Sequence, residues 1–225
     1  MKSIVRGARR VLLLTSVAVA GSCAPATYYL SMQPNQGSGI WQDGHERAMA
    51  SRDSIQVNMA FVRYDDESLI FDFDIQNQSS KPVLVAPEQF SYSAVNTTLH
   101  EGEQYIAYYP GPIKAVNPEL KLDKLEMAVA YNLRESNRVM LLASPEYANQ
   151  TRILHSTVAA QAQTQKEETE KHILRKNTLV PGQGIHGYVY FPRANQADLL
   201  RMSLPLRSEP LVIEYKQSRS REPLY

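Results

Sequence analysis

Five histidines, His45, His100, His155, His172 and His186, are the first candidates for metal or acid–base chemistry. No two stand three or four residues apart, the spacing that puts two imidazoles on one helix face, and no His-Glu-x-x-His occurs. Glu168 and His172 are four apart and read as a contact that stabilises a helix face. Asp72 and Asp74 alternate along a strand-like segment, which puts them on one face about 7 Å apart by strand rise. A glycosidase needs its two carboxyls about 5 Å or about 6.5–9.5 Å apart, one of them in an apolar pocket; the pair reads instead as a solvated strand face. No Gly-x-Ser-x-Gly elbow and no P-loop occur, and Gly182, Gly184 and Gly187 lie in a strand turn that opens no helix. The expectation is a chain without enzymatic chemistry, catalytic residues, cofactor or metal. Tyr105, Tyr108 and Tyr109, with Tyr188 and Tyr190, form a candidate aromatic platform for a glycan or a partner protein, although tyrosine is also ordinary strand-forming sequence.

The single Cys excludes a disulfide scaffold and a multi-thiolate zinc site, so Cys23 calls for another explanation. Lys2, Arg6, Arg9 and Arg10 precede the apolar or small run 11–20, the layout of a signal peptide. About ten residues is half of what a bilayer-spanning helix needs. The following Ala20-Gly21-Ser22-Cys23 resembles the lipobox of bacterial lipoproteins, with Ala20 where Leu or Val is usual. That resemblance implies a signal peptide over 1–22, diacylglycerol on the Cys23 thiol and Cys23 as the mature N-terminus. Cleavage after Ala24-Pro25-Ala26, giving a soluble product, is the alternative, and Arg9-Arg10 leaves general or twin-arginine export open. Losing the four basic residues of the leader leaves 203 residues, with 20 basic against 23 acidic and a charge of −3. Such a surface has no bulk attraction for nucleic acid or anionic lipid. Membrane residence then rests on acyl chains, two or three of which hold a protein durably. Ala24, where Asp commonly retains lipoproteins in the inner membrane, implies the outer membrane, facing the periplasm.

The elements that must position these residues follow from periodicity. Residues 23–44, with Pro25, Pro34, Gly37, Gly39 and Gly44 among Ser, Gln and Asn, read as a tether ended by Trp41, which would plug a domain edge. Ile55, Val57, Met59 and Phe61, then Leu69, Phe71, Phe73 and Ile75, alternate around the turn Tyr64–Glu67 and predict an antiparallel hairpin with one wet face. Short strands follow at 83–85 and 90–94, and 100–112 is an edge strand or an ordered loop. Asn117-Pro118-Glu119 and Ser144-Pro145-Glu146 each start a helix. The first carries Leu122, Leu125, Val129 and Leu133 at helical spacing, and the second, running to about Leu174, is largely solvated. Strand patterns return at 177–180, 185–191, 202–206 and 211–215, and residues 218–225 read as a frayed tail.

Strands on both sides of a helical stretch predict one β-sandwich over 45–217 with a helical insertion at 117–175, since the C-terminal strands are too few to fold alone; two domains are the alternative. The hairpin segment Phe71-Asp72-Phe73-Asp74-Ile75-Gln76-Asn77-Gln78-Ser79, Pro82-Val83-Leu84-Val85, Asn177-Thr178-Leu179-Val180-Pro181-Gly182 and Gly187-Tyr188-Val189-Tyr190-Phe191-Pro192, with Cys23, resemble uncharacterised bacterial lipoproteins carrying an immunoglobulin-like β-sandwich. The resemblance covers about half the chain and implies a mainly β, immunoglobulin-like fold with the helical insertion before the C-terminal strands. It supplies no catalytic residues. The expected function is a lipid-anchored, non-enzymatic binding or scaffolding module of the cell envelope. An envelope hydrolase with an unrecognised site, or a complex subunit docking through the helical insertion, are the alternatives.

Overall fold

Alternating apolar residues build two antiparallel five-stranded sheets in the computed structural model, which describes residues 29–36, 40–42, 44–65, 67–95, 111–139 and 144–220. The described elements are β1 (Tyr29–Pro34), β2 (Ile40–Gln42), β3 (His45–Arg52), β4 (Ile55–Tyr64), β5 (Ser68–Asn77), β6 (Val83–Val85), β7 (Ser91–Val95), β8 (Ile113–Lys114), α1 (Pro118–Val139), α2 (Pro145–His172), β9 (Asn177–Leu179), β10 (Gly184–Pro192), β11 (Leu199–Leu204) and β12 (Leu211–Ser220). One sheet runs β10-β5-β4-β3-β2, the other β1-β12-β11-β7-β8, and β6 pairs with β9. The chain divides into a large unit, residues 32–218, and a small one of residues 1–31 with 219–225. The described residues of the small unit are all extended.

Within the large unit the two sheets face each other across one core. Val57, Met59, Leu69, Phe71, Phe73 and Ile75 point inward from β4 and β5 and are all but fully buried. Phe71 meets Tyr215 of the opposite sheet at 5.2 Å between ring centroids, and Tyr92 meets Phe191 at 5.8 Å. Polar tips are bonded where they are buried, as the low dielectric requires: the Tyr215 hydroxyl donates to Met59 O at 2.6 Å and that of Tyr92 to Pro192 O at 2.6 Å.

Burial pushes the Tyr215 hydroxyl well above the usual tyrosine range. Below about pH 10 both the folded and the unfolded chain keep this proton; above it only the unfolded chain ionises, so stability falls with rising pH by up to about 1.4 kcal/mol per unit. Tyr215→Phe is expected to lose about 1–3 kcal/mol at neutral pH, because Met59 O is left unpaired. It should also show a shallower alkaline decline than wild type in urea unfolding followed at pH 8, 10 and 11.

Two of the turn segments, 71–79 and 177–182, meet at one buried amide. Asn77 Nδ2 donates to Lys81 O and Leu179 O, both at 2.9 Å, and its Oδ1 accepts from Ser79 N at 3.1 Å and Ser79 Oγ at 2.6 Å. All four bonds of the side chain are thus used, which ties the end of β5 to the end of β9 and to the turn before β6. Gly182 completes that turn at φ +82°, a conformation glycine adopts without strain, and donates to Asn77 O at 2.7 Å.

The helices form an antiparallel hairpin seated on the sheet. Asn117 caps α1, its Oδ1 accepting from Glu119 N at 2.9 Å. At the second start, Ser144 holds the N-cap position with no side-chain bond. Asn132 Oδ1 and His155 Nδ1 meet at 2.9 Å across the helix pair, and Lys166 meets Glu126 at 3.1 Å. Polar pairs of this kind fix which residues of two helices stand opposite. At the base, Leu122 packs on Ile70, Tyr190 and Ile173.

Four sequence expectations are corrected. Tyr29–Pro34 and Ile40–Gln42, within the stretch 23–44 read as tether, are strands. Trp41 plugs no edge: it lies 65% exposed on the edge strand β2. The tail begins later than residue 218, since β12 runs to Ser220, held by buried Gln217, whose Nε2 donates to Ala194 O and Ala197 O at 2.9 Å each. The hairpin has no fully wet face, because the helix base covers Ile70 and an ion-paired cluster covers Asp72.

Candidate functional site

The outer face of the β10-β5-β4-β3-β2 sheet carries a group of ionisable side chains that share contacts. Register sets it up: Arg47, Ala60, Asp72 and Tyr188 stand directly opposite one another on four successive strands. Ala60 offers only a methyl group, so the Arg47 side chain passes over it, across two strand spacings of about 4.8 Å, to reach Asp72. Nη2 of Arg47 lies 2.6 Å from Asp72 Oδ2, and both side chains are 10% exposed. His186, one diagonal step away on β10, brings Nε2 within 2.7 Å of Asp72 Oδ1. That contact is close enough for an ion pair but lacks hydrogen-bond alignment.

Around this cluster is a cleft of about 460 Å³ lined by Gln42, His45, Asp74, His186 and Tyr188 as well as the ion pair. Asp74 is half-buried and accepts from Asn58 Nδ2 at 3.4 Å. Neither carboxylate sits in a deep apolar pocket: Asp72 is buried against a guanidinium, and Asp74 lines a polar wall. The acid–nucleophile pair of a glycosidase calls for the opposite environment for one of its two groups. Among the described residues no group of three or more His, Cys, Asp or Glu is arranged to hold a metal ion.

A second cavity, about 540 Å³, continues from Tyr188 to the last turns of α2 and is walled by Arg63, Gln165, Glu168, Thr169 and His172. The Tyr188 ring lies 5.3 Å from the His172 imidazole at 25°, a stacked pair that positions it at the junction of the two cavities. Gly187 allows this approach: a Cβ there would lie 2.8 Å from His172 O and 3.0 Å from Leu174 N. Tyr190 has a different role. It is buried at the helix base with Lys121 Nζ 4.4 Å over its ring, and burial raises its hydroxyl above the usual range although Thr169 hydrogen-bonds it.

Of the residues singled out from sequence, the structure places Tyr188 on a cleft wall and Tyr190 in the interior; Tyr105, Tyr108, Tyr109 and Cys23 lie outside the described residues. Glu168 and His172 line the second cavity together. Arg47, His45 and His186 in combination escaped sequence reasoning, because β3 has no strand signature and only register brings them to Asp72.

Fold and site together define a class, a mainly β protein of antiparallel sheets with a helical hairpin and a polar cleft on one sheet. The chain matches no family model, and no curated protein or solved structure matches it.

Proposed function

We propose that the chain is a cell-envelope lipoprotein, anchored by acyl chains on Cys23 in the outer membrane and facing the periplasm. In this reading its immunoglobulin-like β-sandwich is a non-enzymatic scaffold, and the helical hairpin is its docking arm for another envelope protein. The observation that carries the docking role is the outer surface of the hairpin: Leu120, Met127, Tyr131, Tyr147, Ile153 and Leu154 are each more than half exposed. Six such side chains on two helices are more apolar surface than a free helix pair needs to expose, which favours a protein contact. The two facing sheets with a shared aromatic core support the sandwich reading. The leader and the lipobox-like tetrapeptide support the anchor.

Two measurements test this. Palmitate labelling is expected for wild type and not for Cys23→Ala; equal labelling removes the anchor. Photocrosslinkers at Tyr131 and Leu154 should trap one defined envelope protein in cells, while a crosslinker at exposed Val212 on β12 traps none. Tyr131→Ser with Leu154→Ser should abolish that adduct while changing folding stability by no more than about 0.5 kcal/mol each, as for ordinary surface sites. Crosslinks that survive the double substitution would reject the arm.

A further inference from the structure

We infer that the two cavities that share Tyr188 on the outer sheet face form a binding groove for a neutral oligosaccharide, with Tyr188 as its central aromatic contact. This site is separate from the apolar surface of the hairpin, and its occupancy does not rest on the docking reading. The cavities, about 460 and 540 Å³, each fall within the roughly 300–1,000 Å³ that holds a small ligand. Both are lined by Tyr188, which places them side by side on the same sheet face.

The lining selects the ligand chemistry. Three cationic and four acidic side chains border the groove, so neither an anion nor a strongly cationic ligand meets a matching field. Asp72, which lines the first cavity, keeps one buried oxygen, Oδ1, with His186 Nε2 2.7 Å away but no aligned donor among the described residues. Buried acceptors are rarely left so, and a ligand hydroxyl supplies the missing O–H. His45, His186 and Gln165 add planar side chains that both donate and accept, which suits the paired hydroxyls of a sugar. The Tyr188 ring, backed by His172, offers a pre-positioned surface for the C–H face of a pyranose at low entropic cost.

The test is saturation-transfer NMR and calorimetry on the detergent-solubilised full chain, with a β-1,4-linked N-acetylglucosamine tetramer, a maltose-series tetramer and trilysine as probes. Binding of at least one tetramer is expected, little changed between low and high salt. His186→Ala, an exposed position whose removal leaves the Arg47–Asp72 pair in place, and Tyr188→Ala should each weaken it about tenfold or more, equivalent to about 1.4 kcal/mol. Tyr188→Phe, which keeps the ring, should stay within about threefold of wild type. Circular dichroism checks that each variant is folded, and His186→Ala keeps the proposal falsifiable if Tyr188→Ala is not. Binding of neither tetramer, tetramer binding indifferent to His186→Ala, or a preference for trilysine that salt abolishes would each overturn the proposal.

Discussion

Phe71→Ala is expected to destabilise the fold by about 3–5 kcal/mol, the range for deleting a fully buried aromatic ring. The side chain has no exposed surface, and its ring touches three others: Phe61 at 5.5 Å, Phe191 at 5.9 Å and Tyr215 at 5.2 Å. All three contacts are tilted edge-to-face arrangements, in which the positive rim of one ring meets the negative face of another. Because Tyr215 belongs to the opposite sheet, the loss falls on the contact that holds the two sheets together. Total stability for a domain of this size is about 5–15 kcal/mol, so one substitution removes a large share. Phe71→Leu, which refills most of the volume, should recover more than half. Urea unfolding midpoints at constant slope check both; a loss below about 1 kcal/mol for Phe71→Ala would mean that the sheets do not share this core.

How legible the fold was depends on the element. The β4–β5 hairpin, β10 and β12 announce themselves because Val57, Phe71, Phe73, Val189 and Ile213 recur at every second residue. The helix starts are equally local, written in Asn117-Pro118-Glu119 and Ser144-Pro145-Glu146. β3 is the opposite case. His45-Glu-Arg-Ala-Met-Ala-Ser-Arg52 has no β-branched or aromatic residue, and its turn to β4 uses Asp53 and Ser54 at φ +52° and +58°, where Asn-Gly would have been the recognisable signal. The strand exists because β4 presents an open edge to pair with, a tertiary cause that a local pattern does not record. The site depends on that strand, so it was illegible for the same reason. Asp72 stands out for its spacing to Asp74, but its partners Arg47 and His186 lie 25 and 114 positions away.

Arg47→Leu is expected to cost about 3–5 kcal/mol, the range for stranding one member of a buried ion pair, and to fall at the lower end of it. The physical reason is asymmetric. Arg47 lies 2.6 Å from Asp72, and both are nearly enclosed, so removing the guanidinium leaves a carboxylate with most of its desolvation uncompensated. His186 moderates this: its exposed imidazole already stands 2.7 Å from the other carboxylate oxygen and keeps one polar partner beside it. Stability of Arg47→Leu should therefore depend on His186, and Arg47→Leu with His186→Ala should be less stable than either alone by more than the sum of the two losses. Removing both charges is a different change. Arg47→Leu with Asp72→Leu leaves neither charge unpaired, and apolar replacement of a buried pair is often neutral or better, so this double variant should regain most of the lost stability. If it folds as stably as wild type yet loses the tetrasaccharide, the pair is kept to shape the cleft floor and position its acceptor oxygen, and stability alone does not explain it. If it regains nothing, the loss in Arg47→Leu comes from packing of the arginine stem over Ala60, and the charge pair is incidental.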